Sequence, residues 1–398
     1  MDGSPDANSN ITPDVIVVGL GAAGSATLLT LAQRGIRCAG IDRFDPPHDQ
    51  GSSHGLSRLI RLCYFEHPDY VPLLHKSYER WRELQATTSS PVFRVTGGLY
   101  IGMPHDPFVL GSLNSARTHG LAHELLAADA VSSRFPQFVM HSGEQAFFEP
   151  TTGVLFPENA IAATLSRARE LGAQTLTHES VTKWSANARS VEIHTNRRVL
   201  HAASVVFCTG AWMPQIVPEL KPVLSITRQV LAWFHPAESR VLHTPQMPAW
   251  AISEPDGSAH YGFPMFSPES AGQMPPGGYG FKVALHKLGD PSDPDAVDRR
   301  VRDDEITSLA AFLESRIPRA ISADRKLLDA KVCLYTSTPD QHFLIDRHPA
   351  HENVVVVSAC SGHGFKLSPA MGLAAADLAT QGTTSLPIQF LRWRTRAT

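Results

Sequence analysis

Hydrophobic positions along the chain switch between two periods, and the switches lay out the elements. Val15-Ile16-Val17-Val18 is an unbroken β-branched run, long enough for one buried strand and too short for a helix. Gly19-Leu20-Gly21-Ala22-Ala23-Gly24 follows at once; 25–33 then reads as a small-residue helix and 37–41 as a second strand ending at Asp42. Helical spacing returns at 69–85, where Leu73, Leu74, Tyr78, Trp81 and Leu84 share one face and read as core. The stretch 93–102 is strand material interrupted by Gly97-Gly98. Polar helices are expected around 108–119 and 129–135, and a stronger one at 158–171. Short strands follow near Thr175 and Val181 and at 191–199, and Ser204-Val205-Val206-Phe207-Cys208 is a second buried strand.

Beyond residue 222 the pattern changes. Strands at 222–234, 249–253, 259–263 and 279–285 are separated by Pro- and Gly-rich connections, which predicts a mixed or antiparallel sheet. The connection 265–278 is long enough to count as a functional or mobile loop. A helix at 303–317, strands at 326–335, 343–345 and 354–358, and a closing helix at 367–379 complete the chain. The pattern predicts an α/β fold. A Rossmann-like, discontinuous cofactor domain takes 1–93, 150–222 and 329–398, and a mostly antiparallel β-sheet substrate domain takes 94–149 and 223–328.

Composition narrows the class only a little. A chain of 398 residues with 42% hydrophobic and 18% charged residues is an ordinary globular protein of two domains. A net charge of −3 gives no reason to expect nucleic acid or an anionic membrane. No apolar run reaches the length of a membrane span, and 1–13 is polar and lacks the features of a signal peptide. The five cysteines, Cys38, Cys63, Cys208, Cys333 and Cys360, contain no CxxC pair, so neither a zinc knot nor a disulfide framework is expected and a reducing cytoplasm fits best. The histidines are scattered and suggest no metal site.

The opening motif carries chemistry. Gly19 allows the tight turn, Gly21 lets backbone approach a pyrophosphate, and Gly24 lets the helix pack on the strand. The pyrophosphate then sits on a helix N-terminus, where free N–H groups and the dipole favour an anion. Asp42, 23 residues after Gly19, is placed to accept hydrogen bonds from a ribose. Strand, glycines, helix, strand and terminal acid together predict an adenine dinucleotide site. Thr209-Gly210-Ala211-Trp212, at the end of the second buried strand, offers another close backbone contact to the same ligand.

Four further stretches point to one family. They are Gly51-Ser52-Ser53-His54-Gly55 with Arg58 and Arg61; Tyr261-Gly262-Phe263-Pro264 with Gly280-Phe281-Lys282; Val332-Cys333-Leu334-Tyr335-Thr336; and Ser361-Gly362-His363-Gly364-Phe365-Lys366. In order and spacing the sequence resembles the monomeric sarcosine oxidase family of amine-oxidising flavoproteins, from Val15 to about Gly382. The resemblance implies FAD in a glutathione-reductase-like domain, contacted by Arg43, Ser53, His54, Arg58, Gly210, Gly362, Gly364, Phe365 and Lys366, and bound covalently through Cys333. A thiolate is needed for that bond, and His54 and Arg58 are expected to supply the cationic surroundings. Arg61 and Lys366 match the pair that holds a substrate carboxylate, Lys282 the lysine that activates O2, and Tyr261 and His286 residues of the substrate pocket. Arg58 and Lys282 are thereby expected in the catalytic set with Tyr261 and His286.

Two departures stand out. Leu56 occupies the place of an acid in the arginine loop, and the 265–278 loop is longer than in small-substrate members, so it is expected to set substrate size. The implied reaction is oxidation of a secondary amino acid such as sarcosine to an imine, with O2 reduced to hydrogen peroxide, by a monomer. A cyclic imino acid such as L-pipecolate or a secondary-metabolite amine remains open as substrate. A dehydrogenase passing electrons to a protein, or a flavin-binding protein without turnover, fits the cations less well.

Overall fold

The computed structural model describes residues 12–266, 280–358 and 361–394. Residues 1–11 of the N-terminal tail, Cys360 and the 265–278 loop, apart from its first two residues, lie outside them.

Two sheets organise the chain. The first has six strands in the order Leu344–His348, His351–Ser358, Ser204–Phe207, Val15–Val18, Cys38–Ile41, Gln174–Leu176. It is parallel except for its antiparallel edge strand Leu344–His348. Side chains alternate between its faces as strand geometry requires. Val15 and Val17 join the core under the helices Ala22–Gln33, Val71–Ala86, Pro157–Glu170 and Ser368–Gln381. Ile16 and Val18 face a three-stranded antiparallel layer, Val181–Ala186, Val191–Thr195 and Val199–Ala202. Both faces being covered explains why these strands read as continuous apolar runs.

The second sheet has eight strands, ordered Leu327–Ser337, Ser225–Phe234, Phe281–His286, Ala259–Gly262, Ala249–Ser253, Gly98–Gly102, Gln145–Glu149, Glu124–Ala127. All its pairs are antiparallel except Ala249–Ser253 with Gly98–Gly102. The helix Asp303–Arg316 packs on one face around Trp250, Phe281 and Phe312. The other face presents Tyr261, Leu231, Cys333 and Tyr335 as a cluster of its own. A short sheet of Arg58–Ile60, Gly153–Leu155 and Phe93–Val95 carries the arginine loop.

One boundary differs from expectation. Leu327–Ser337 pairs along its length with Ser225–Phe234, so the strand bearing Cys333 belongs to the eight-stranded sheet. The chain re-enters the six-stranded sheet only at Leu344–His348, not at 329. A strand's own apolar pattern does not state which sheet it joins. The strands Gln145–Glu149 and Glu124–Ala127 were also not expected from the pattern. Among the described residues no helix is long and apolar enough to cross a membrane.

Candidate active site and cofactor cleft

A cavity of about 440 Å³ runs from the glycine turn to the face of the eight-stranded sheet. Gly19, Gly21, Asp42, Arg43, Ser53 and Gly210 line one end, and Arg58, Arg61, Tyr261, His286, Cys333, Gly362, Gly364, Phe365 and Lys366 line the other. Three expected residues are not in that lining: Gly24, His54 and Lys282.

At the nucleotide end each glycine has a visible task. A Cβ on Gly24 would lie 1.7 Å from Gly19 O, so helix and turn meet there backbone to backbone. A Cβ on Gly21 would meet only Ser53 Oγ, at 3.6 Å, and would otherwise fill space in the cavity. The helix Ala22–Gln33 starts at Gly21 without a side-chain cap and without an acid in its first turn. Its first N–H groups and its dipole are therefore available to an anion. Asp42 is buried; its carboxylate accepts the Leu20 N–H at 2.7 Å and the Phe44 N–H at 2.8 Å, which fixes its direction on the cavity wall. Arg43 pairs with Asp295, which also accepts from Trp212 Nε1 at 2.9 Å and Gln215 Nε2 at 3.0 Å. An uncapped helix end, an open glycine and an oriented acid form a cradle that fits a dinucleotide diphosphate and ribose.

The middle of the cleft is built around the arginine loop. Arg58 donates to Ser57 O and Ser52 O. Glu158, at the start of helix Pro157–Glu170, accepts the N–H of Gly55 at 2.7 Å and that of Leu56 at 3.1 Å. It supplies from a distant helix hydrogen bonds to a loop in which Leu56 replaces the expected acid. Lys282 Nζ is buried and donates to Gly55 O at 2.5 Å, Ser57 O at 3.0 Å and Ser57 Oγ at 3.2 Å. Burial and then Arg58 push Lys282 well below the ordinary lysine value, while three acceptors satisfy all three N–H groups of an ammonium. It also borders a separate space of about 30 Å³ walled by Trp233, Phe263 and Phe266.

The expectation of a cationic His54 is corrected. Burial first, and then Arg58, push His54 down to about 3, and neither ring nitrogen has a hydrogen-bond partner among the described residues. A neutral imidazole cannot favour a thiolate by charge. Burial raises Cys333 above the ordinary thiol value, and Arg58 and Lys282 oppose that rise. The buried thiol lines the cavity.

At the far end two cations converge, together with an anion, Glu66, that no motif names. Arg61 is buried, with Nη1 on Cys63 O at 3.0 Å and Nη2 on Glu66 at 2.9 and 2.7 Å. Burial would raise the Glu66 carboxyl, but Arg61 above all, with Lys366, outweighs it and holds it down at about 2. Lys366 donates to His363 O at 2.6 Å and to Tyr64 OH at 3.4 Å; burial and then Arg61 push it down to about 7. Trp81 Nε1 holds the Lys366 carbonyl at 2.9 Å, and its ring stacks on Phe365, so this helix aromatic positions the closing turn as well as packing the core. Tyr261 hydrogen-bonds to Tyr335, whose hydroxyl lies 3.3 Å from His286 Nδ1. A Cβ on Gly362 would meet the Tyr335 ring at 2.4 Å and His286 at 2.7 Å, so only glycine lets the closing turn approach this pair. Sequence reasoning named Tyr335 only as part of a motif and missed Glu66, Tyr64 and Glu158.

Comparison with known proteins agrees with this geometry. The family model described as FAD dependent oxidoreductase matches residues 14–378. The chain is 40% identical over 379 residues to monomeric sarcosine oxidase from Streptomyces avermitilis, covering 95% of this chain and 96% of that one. It is 32% identical over 375 residues to N-methyl-L-tryptophan oxidase from Salmonella dublin, covering 94% and 96%. Among solved structures, NikD, an unusual amino acid oxidase essential for nikkomycin biosynthesis, superposes with a TM-score of 0.80 at 24% identity, covering 96% and 97% of the two chains. That last likeness speaks for the fold alone.

Proposed function

The chain belongs to the FAD dependent oxidoreductase family, and on that premise we propose that it oxidises the CH–NH bond of a secondary, N-methyl amino acid such as sarcosine. O2 is the electron acceptor and hydrogen peroxide a product; the imine formed is hydrolysed by water to amine and aldehyde. The observation that carries this reading is the buried convergence of Arg61 and Lys366 on the cavity wall opposite the nucleotide cradle. A small amino acid has one strong handle, its carboxylate, and two fixed cations orient it.

When bound, FAD supplies the two-electron acceptor for this oxidation. Gly21 and the N-terminus of helix Ala22–Gln33 would hold its diphosphate and Asp42 its ribose, and Gly210 would allow close approach of the chain. The six-stranded sheet is the cofactor part and the eight-stranded sheet the wall of the substrate space. Cys333 is the residue we assign to covalent attachment. Its test is acid precipitation: flavin colour stays with the protein pellet if the bond exists and goes to the supernatant if it does not. Arg61 and Lys366 bind the substrate carboxylate, Tyr261 and His286 line its amine side, and Lys282 presents positive charge to O2 as it gains electrons. The protein acts as a cytoplasmic monomer.

Anaerobic mixing with sarcosine, N-methyltryptophan, pipecolate, a fructosyl amino acid and glycine tests the whole reading through loss of the flavin absorption band. Rapid bleaching by an N-methyl amino acid supports it. Bleaching by pipecolate alone moves the substrate to a cyclic imino acid, and no bleaching by any of them refutes the proposed activity.

A further inference from the structure

We infer that Tyr64 and His363 are positioning residues that fix Lys366 as a cation and aim its one uncommitted N–H into the cavity. The inference rests on the proposed role of Lys366 in holding a carboxylate. The hydrogen-bond order can be read from one end. His363 Nε2 lies 3.0 Å from Gln341 O, and a carbonyl only accepts, so Nε2 carries the proton. His363 is buried, and burial pushes it down to about 3, so the ring is neutral and Nδ1 is bare. Tyr64 OH lies 2.5 Å from this bare Nδ1 and 3.2 Å from His363 O, and the ring nitrogen, as the nearer acceptor, takes the phenol proton. With its proton committed there, the phenol turns a lone pair toward Lys366 Nζ at 3.4 Å. His363 O accepts a second Nζ proton at 2.6 Å. An ammonium has three protons, so one is left for a ligand.

The charged and titratable groups around Lys366 set what this order must overcome. Arg61 disfavours its charge and Glu66 favours it. His286 lies near it from strand Phe281–His286 and is pushed down to about 4, chiefly by burial, so it adds no charge. Tyr64 is itself packed against the Arg61 guanidinium, 4.5 Å from its ring centroid, and against Tyr70. Removing the Tyr64 oxygen leaves burial and Arg61 less opposed. Lys366 then loses its proton at a lower pH.

The test uses propionate, a carboxylate with no amine to titrate, followed by the shift it causes in the flavin band of the holoenzyme between pH 5 and 9. In the native protein, affinity falls as pH rises past about 7, where Lys366 discharges, and Lys366→Met removes that dependence. Tyr64→Phe moves the fall to lower pH by about one unit, a roughly fivefold loss of affinity at pH 7 that approaches tenfold at higher pH. His363→Leu does the same although residue 363 need not touch the ligand. His363→Asn, whose side-chain oxygen stands where Nδ1 stood, restores the native profile. Flavin content of each variant reports folding. A native profile in Tyr64→Phe and His363→Leu, with Lys366→Met still altering it, overturns this inference alone. No propionate binding to the native protein overturns the carboxylate clamp together with it.

Discussion

Glu66 sits where an incoming carboxylate would have to compete. Both its oxygens accept from Arg61 Nη2, and Oε1 lies 3.7 Å from His363 Nδ1. Its carboxyl is held at about 2 against an ordinary 4.5. At about 1.4 kcal/mol per pKa unit, that difference corresponds to roughly 3 kcal/mol of folding stability. The same magnitude is expected for breaking a buried ion pair from one side, about 3–5 kcal/mol. The sign follows from the lowered value. The contribution is complete above the unfolded pKa near 4.5 and is lost as pH falls through about 2. Glu66→Gln should therefore destabilise the ligand-free protein by about 3 kcal/mol at neutral pH, and the gap to the native protein should close as pH falls below about 4.5. Binding should move the other way. With the internal carboxylate gone, the Arg61 guanidinium is released to the ligand, and propionate or sarcosine should bind about tenfold tighter, the equivalent of roughly 1.4 kcal/mol, at a pH low enough to keep Lys366 charged. Urea unfolding at several pH values and flavin-band titration read the two effects separately. Weaker ligand binding in Glu66→Gln would refute the competition and make Glu66 a contributor to the substrate site. An unchanged stability would refute the buried pair itself.

Other perturbations separate the remaining parts of the cleft. Lys282→Met should slow reoxidation by O2 about 100-fold or more while anaerobic bleaching by substrate stays within a few fold; equal losses in both half-reactions would deny Lys282 a role specific to oxygen. Gly24→Ala drives a methyl into Gly19 O and should give protein without flavin, whereas a flavin-loaded variant of native melting temperature would show that the turn has slack. Asp295→Ala releases Arg43, Trp212 and Gln215 together. Because these groups are largely exposed, stability should change by less than about 1 kcal/mol, and in a Cys333→Ser background flavin should be lost several-fold faster on gel filtration. An unchanged loss rate would mean that this bridge does not close the nucleotide end.

The parts of the site visible in the sequence are those whose chemistry is local in the chain. The Gly19–Gly24 turn, the helix after it and Asp42 are contiguous, and the structure keeps their order and spacing. Arg61, Cys333 and Lys366 stand in motifs far apart in the chain, and the fold brings all three to the lining of one cavity. What stayed hidden depends on distant partners. Glu158 supports a loop 103 residues before it, and Asp295 reaches Arg43 across 252 residues. Neither acid carries a local sign of its partner. The cationic role expected of His54 failed for a related reason, since burial decides its charge and burial is not written in the residues beside it.

Glu66 is a different case, because a physical signal for it did exist. A guanidinium buried to hold a substrate anion is unpaired whenever the substrate is absent, and an uncompensated buried charge costs several kcal/mol. A chain that buries such a clamp needs a counter-ion for the empty state, and a nearby acid supplies it with little loop entropy to overcome. Glu66 stands five residues after Arg61, and both flanking aromatics, Tyr64 and Phe65, stack on the same guanidinium at 4.5 and 4.7 Å. The run Arg61-Leu62-Cys63-Tyr64-Phe65-Glu66 thus encodes a cation, two rings to shield it and an anion to neutralise it. On this reasoning the pair Arg61 and Glu66 should be separable only in the presence of ligand. Glu66→Gln protein should recover in propionate about the stability that ligand binding contributes at the concentration used, RT ln(1 + [L]/Kd). Arg61→Met, which leaves Glu66 buried without its principal cation, should show no such recovery. Equal recovery in both variants would mean that propionate does not engage Arg61.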